Sequence, residues 1–312
     1  MTAAHANTRT RVLKTLFTAL ACCALLPLSA CSGGNASDEA TGASFTPATT
    51  IEQSTFDASA AQGENGALVD TSHVADGYVG ASVTSSARCK LQITSGQASC
   101  NFDMPQDGTA VICPLSFGNG SYTFRVMQNT SGNNYVELYA TSTDVTMNSE
   151  FAPFLRPNVY CNYTASSACV AKARDLVKDA SNQAEALEDV CTWIVDNVTY
   201  DDAKAAQLKD ATGYVPNPDQ TLASGTGVCF DYASLGAAML RSQGIPARIV
   251  TGNVSPNNIY HAWIMVHIDG TWKSAQFSVK QNTWSRIDLT FAASGDNSNV
   301  GDGKDYTDRY VY

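Results

Sequence analysis

The residue types best suited to chemistry lie in the last third of the chain. Cys229 follows Gly225-Thr226-Gly227-Val228 and opens a stretch in which Tyr232, Leu235, Met239 and Leu240 recur at helical spacing before Gly244 and Pro246 end it. A cysteine so placed sits on a first helical turn, where unpaired backbone N–H groups and the positive end of the helix dipole favour thiolate over thiol and offer donors to an oxyanion. Taken alone, it reads equally well as a small buried hydrophobe. A thiolate nucleophile needs an imidazole, first to hold the ion pair and then to protonate a leaving group. Tyr260-His261-Ala262-Trp263 opens a strand-like stretch downstream, which makes His261 the candidate. His267 falls on the same strand face at two-residue spacing and is its main competitor, while His5 lies in the N-terminal leader and His73 near the tether. A third group must accept the other imidazole N–H and fix its tautomer. Residues 283–291 read as a strand with Asp288 in its middle, where an unpartnered carboxylate would be costly, so Asp288 is the third candidate.

Elements of the right period surround these positions. Val170, Ala173, Leu176 and Val177 are spaced for one helix, and Leu187, Val190, Cys191, Ile194, Val195 and Val198 for a second, which makes Cys191 a core thiol. A loop rich in Pro, Asn and Gly runs over residues 212–227 up to Cys229. Further upstream, residues 67–146 show short alternating runs such as Tyr122, Phe124, Val126 and Tyr135, Glu137, Tyr139, punctuated by turns. That region reads as a small β-sandwich, a structural or spacing module with no acid/base pair and no glycine-rich phosphate loop.

The blocks Gly227-Val228-Cys229-Phe230-Asp231-Tyr232-Ala233, Met239-Leu240-Arg241, Gly244-Ile245-Pro246-Ala247-Arg248, His261-Ala262-Trp263 and Trp284-x-x-x-Asp288-x-Thr290 resemble, in order, the signature blocks of the transglutaminase-like superfamily. The resemblance covers roughly residues 151–312. It implies an α+β, papain-like fold with helices packed on an antiparallel sheet, a catalytic triad of Cys229, His261 and Asp288, and no cofactor or metal. One departure stands out: Trp272, the first tryptophan after the histidine strand, is followed at the family spacing by Gln276 rather than an acid. An amide would orient the imidazole without stabilising its charge; residues 273–282 are therefore read as an inserted excursion, with Asp288 in the family's place. Asp231 reads as a solvated or loop-bonding acid, Trp263 and Tyr260 as packed aromatics or cleft walls, and Asp201 and Asp202 as ordinary surface acids without metal-ligand spacing.

The N-terminus carries an export pattern. Arg9, Arg11 and Lys14 precede an apolar run over residues 16–26, and Leu28-Ser29-Ala30-Cys31 resembles a lipobox, in which Cys31 becomes the acylated first residue. The chain is thus read as a signal over residues 1–30, a flexible tether over 31–62, a β-sandwich-like domain over 63–150 and the α+β domain over 151–312, held to the outer face of a bacterial membrane by its lipid alone. Seven cysteines follow the anchor in an oxidising compartment, an odd number. Cys89 and Cys100 flank a hairpin-like stretch and could face across it, and Cys161 and Cys169 could close a short loop. The formal net charge of −10, about −13 without the leader, argues against a nucleic-acid partner. The implied partner is a protein or peptide substrate at the cell surface or cell wall. Either an amide-cleaving or cross-linking thiol enzyme, or a surface scaffold whose papain-like half has lost turnover, fits these features.

Overall fold

The computed structural model describes residues 39–295 and 305–312. The expected signal, the lipidation site Cys31 and the first part of the tether lie outside them. In chain order the first strands are β1 (Glu39–Thr41), β2 (Gln62–Glu64), β3 (Ala67–Asp70), β4 (Tyr78–Val83), β5 (Cys89–Ser95), β6 (Ala98–Met104), β7 (Val111–Pro114), β8 (Gly120–Ser131) and β9 (Asn134–Val145). Two antiparallel sheets arise from them, ordered β2-β3-β4-β7 and β6-β5-β8-β9. Alternation decides which side chains face inward. On β5 and β8, Leu91, Ile93, Phe124 and Val126 are wholly buried, and Leu91 pairs with Val126 and Ile93 with Phe124. Val79, Ala81 and Val111 of the other sheet join the same core, so the sandwich-like reading holds.

The remainder is α+β: α1 (Ala168–Leu176), α2 (Gln183–Asn197), β10 (Thr199–Tyr200), α3 (Asp202–Leu208), α4 (Pro218–Ser224), β11 (Thr226–Gly227), α5 (Cys229–Arg241), β12 (Ala247–Val254), β13 (Ile259–Val266), β14 (Thr271–Lys273), β15 (Ser278–Val279), β16 (Ser285–Ile287), α6 (Leu289–Ala293) and β17 (Tyr306–Val311). Its main sheet is antiparallel, ordered β16-β13-β12-β17. Helix α5 is buried from Asp231 to Arg241 and packs on β12 and β13. Leu235, Met239 and Leu240 are wholly buried, each contributing about 1.5–3 kcal/mol through burial. At the end of α5 the buried Arg241 guanidinium donates to the carbonyls of Ala247, Arg156 and Tyr312 at 2.8, 3.0 and 2.9 Å, fixing helix, connector and last strand to one another.

Two expectations are corrected. The described part of the stretch read as a tether is seated on the body: β1 pairs with β14, the Phe45 N–H donates to the Ser181 carbonyl at 2.9 Å, and the Ser54 hydroxyl to that of Pro157 at 2.8 Å. The fastening combines these hydrogen bonds with Ala40, Phe45 and Ile51 packed against the core. The cysteine pairs also fail to form, and all seven described cysteines are free. The hairpin places Cys89 opposite Met104 and Cys100 opposite Ile93. That offset of four residues separates the sulfurs by about 13 Å along the strands, well beyond a disulfide's span. Cys161 and Cys169 are each buried in the core, with the Cys161 thiol 3.8 Å from the Ser234 carbonyl oxygen.

Candidate active site

Cys229 is the first residue of α5, with Val228 as the extended N-cap before it. It alone of the seven described cysteines is not buried. The Asp231 carboxylate, on the same first turn, accepts the Val228 N–H at 2.8 Å and closes the helix start. Gly227 is required by this arrangement, because a Cβ there would stand 2.6 Å from the Cβ of Asp231.

His261 lies on β13 opposite Gly252 of β12, at 5% exposure. A side chain at Gly252 would meet the Thr307 carbonyl oxygen at 2.1 Å and the Trp263 ring at 2.9 Å, so this glycine lets β17 and Trp263 close up beside the histidine. The imidazole stacks on Phe291, ring centroids 4.5 Å apart, and its Nε2 lies 2.8 Å from Asp288 Oδ2. Burial disfavours its charge, but hydrogen bonds to Asp288 and to Cys229 and the negative charge of both outweigh that cost and push its pKa from 6.5 up to about 10. Because Nε2 is engaged by Asp288, Nδ1 is the nitrogen left for the thiol.

Asp288 is not in the middle of a strand. Strand β16 stops at Ile287, and Asp288 becomes the N-cap of α6, its Oδ1 accepting the Phe291 N–H at 3.1 Å. Its Oδ2 accepts the Tyr306 hydroxyl at 2.9 Å as well as the imidazole. Burial and the Asp288 charge raise the Tyr306 pKa, which keeps the phenol protonated and donating. Tyr306 was not foreseen; it comes from β17, in a stretch without any motif.

The three candidates are therefore brought together, and the competitors are placed elsewhere. Gln276 sits between β14 and β15 and donates its amide to the Ala292 carbonyl at 3.3 Å. His267 lies just past β13, against Phe151 and Trp284 with centroids 4.7 and 5.5 Å away. Asp231 is fully buried and bonds the loop rather than solvent. Trp263 is buried against Tyr306, whereas Tyr260 is 53% exposed beside the histidine. Asp201 caps α3 by accepting the Lys204 N–H at 2.9 Å. Among the described residues no group of three or more His, Cys, Asp or Glu could hold a metal ion.

This order of a helix-start cysteine, a strand histidine and an acid closing the next strand coincides with a family match. The transglutaminase-like superfamily is matched over residues 170–288, from α1 through Asp288. This stretch is a transglutaminase-like domain. Members of that superfamily are cysteine peptidases or transglutaminases. The chain is also similar to the UPF0252 protein MJ1282 of Methanocaldococcus jannaschii, 28% identical over 148 residues, 45% of this chain and 40% of that one. The chain thus spans about two fifths of that curated relative. Among solved structures, a candidate cysteine protease of Cytophaga hutchinsonii is similar over 74% of this chain and 80% of its own, at 16% identity and a TM-score of 0.35. LapG of Legionella pneumophila is similar over 47% of this chain and 84% of its own, at 16% identity and a TM-score of 0.26.

Proposed function

We propose that the protein is a thiol enzyme that acts on protein or peptide amide bonds through a thioester on Cys229. The observation that carries this reading is the imidazole of His261, whose Nε2 lies 2.8 Å from the Asp288 carboxylate and whose proton affinity is raised by that carboxylate and by Cys229 together. The thiol proton passes to Nδ1, giving a thiolate and an imidazolium held by Asp288. The sulfur adds to the amide carbonyl, and the oxyanion is met by the Cys229 N–H at the start of α5. The imidazolium protonates the departing amine as the C–N bond breaks, leaving the acyl group on sulfur. Neutral His261 then takes a proton from the acceptor, which attacks the thioester and releases Cys229. Asp288, held by the Phe291 N–H and the Tyr306 hydroxyl, keeps the imidazole in the tautomer both steps need.

Water is the favoured acceptor, giving proteolysis or deamidation, since the sequence carries no recognisable amine-binding motif. Intact-mass analysis with glutamine-containing peptides, with and without a primary amine, separates cleavage, deamidation and amine incorporation as three mass changes. Alkylation provides the direct test of the thiol. Cys229 should react with iodoacetamide at neutral pH well above the rate of an ordinary exposed thiol, and Cys229→Ala should abolish any acyl adduct while the protein stays folded. A rate no higher than that of a free thiol sinks this reading and leaves the scaffold alternative.

The export pattern and Cys31 support a location on the outer face of a bacterial membrane, lipid-anchored, with substrates at the cell surface or wall. Membrane fractionation checks it: Cys31→Ala should move the protein to the soluble fraction, and a variant that stays with the membrane refutes the anchor.

A further inference from the structure

Asp231 stands two residues past Cys229, fully buried, and its carboxylate gathers three donors: the Val228 N–H at 2.8 Å, the Lys204 ammonium at 2.7 Å and the Tyr214 hydroxyl. Lys204 and Tyr214 arrive from one segment, residues 202–217. Helix α3 within it buries no residue of its own, so these two side chains, with the buried Pro216, hold the segment on the body beside the start of α5. They also pack on each other, with the ammonium 4.8 Å from the Tyr214 ring centroid. Beneath them is a cavity of about 360 Å³ lined in part by Lys204, Gln207, Gln220, Thr226 and Asp231.

The electrostatic consequence falls on the sulfur. Helix geometry puts the Asp231 carboxylate within roughly 8 Å of Cys229, inside one screening length, where a bare negative charge opposes formation of a thiolate. Lys204 cancels that charge. The other titratable groups toward the sulfur are His261 on β13 with Asp288 behind it, and Tyr200 on β10, whose phenol is pushed up by burial, by Cys229 and by Asp202.

We propose that Asp231 is a positioning residue that ties the reactivity of Cys229 to the docking of residues 202–217. With Lys204 and Tyr214 seated, the carboxylate caps α5 and is neutralised, so the helix start acts on the thiol undiminished. With the segment lifted, the same carboxylate raises the proton affinity of the sulfur. The inference rests on the reading of Cys229 as the nucleophile.

The pH profile of iodoacetamide alkylation at Cys229 in the full chain tests it. Lys204→Met, at a partly exposed position, should raise the midpoint of the profile by about one pH unit. Adding Asp231→Asn to that variant should return the midpoint to the wild-type value, because both charges are then gone while the amide oxygen still accepts the Val228 N–H. A purely structural role predicts no such rescue. An unmoved midpoint in Lys204→Met, or a double variant shifted as far as the single, overturns the coupling. Slow alkylation of the wild-type thiol would instead defeat the nucleophile reading itself, so the two failures are distinguishable.

Discussion

The β-sandwich region and the transglutaminase-like domain both bury charge, but they surround it with different partners. In the sandwich, Asp70 is fully buried and accepts the N–H groups of Asp57 and Ser72 at 2.8 and 2.9 Å and the Ser72 hydroxyl at 2.6 Å. None of those donors changes charge between pH 5 and 10, so the carboxylate is a fastening. At the far end of α5, Arg241 is likewise a fastening, because its three acceptors are carbonyls. His261 differs in that both Asp288 and Cys229, ionisable groups, act on its proton affinity. Burial of a charged group alone therefore does not single out His261; the action of two ionisable groups on its proton does.

The sharpest way to break that comparison is through pH. The unfolded His261 imidazole loses its proton near 6.5 and the folded one near 10, so its contribution to stability is full below 6.5 and is lost as pH rises toward 10. The buried thiols act in the same direction but later. Their unfolded value is 9.0, with Cys100 of the sandwich raised to about 12 and Cys161 to about 11 by burial. Between pH 6.5 and 8, where thiols with an unfolded value of 9.0 have barely begun to ionise, the fall belongs chiefly to the histidine and should amount to about 1.5 kcal/mol, at 1.36 kcal/mol per unit. Urea denaturation across that range should show the decline in the wild type and a flat profile in His261→Gln. A decline that persists in the variant would move its source away from the triad.

How far the sequence carried this picture depends on what kind of contact each residue makes. Helix α5 was legible from its apolar spacing and its Gly244 stop, and the β5–β8 sandwich strands from strict alternation, because both signals are local. The order of Cys229, His261 and Asp288 was legible because each sits in a block of its own. Four features were not. Asp288 as a helix cap depends on one bond to the Phe291 N–H that ends β16, which a strand-like run of residues does not announce. The partnership with Tyr306 crosses 18 positions to a strand whose sequence carries no motif. The seating of residues 39–62 rests on a three-residue strand pairing, scattered hydrogen bonds and a few apolar side chains, for which composition is a poor guide, and the hairpin cysteines were misplaced by a few residues of register, enough to separate the sulfurs.

The smallest expected effect lies on the sandwich surface, and it tests whether the two regions are energetically separate. Arg125 on β8 and Glu137 on β9 form an ion pair at 3.3 Å with side chains 38% and 48% exposed. Solvent screens such a pair, and ordering two long side chains offsets most of its Coulomb gain. Arg125→Ala should therefore cost at most about 0.5 kcal/mol in a urea titration and leave the rate of Cys229 alkylation unchanged. The second readout is the more informative one. The sandwich and the domain meet through aromatic rings, Phe102 against Tyr160 and Tyr160 against Phe230, the residue beside Cys229. If a surface change on β8 altered alkylation at Cys229, strain would be passing through that ring stack, and the sandwich would have to be counted as part of the machinery rather than its support.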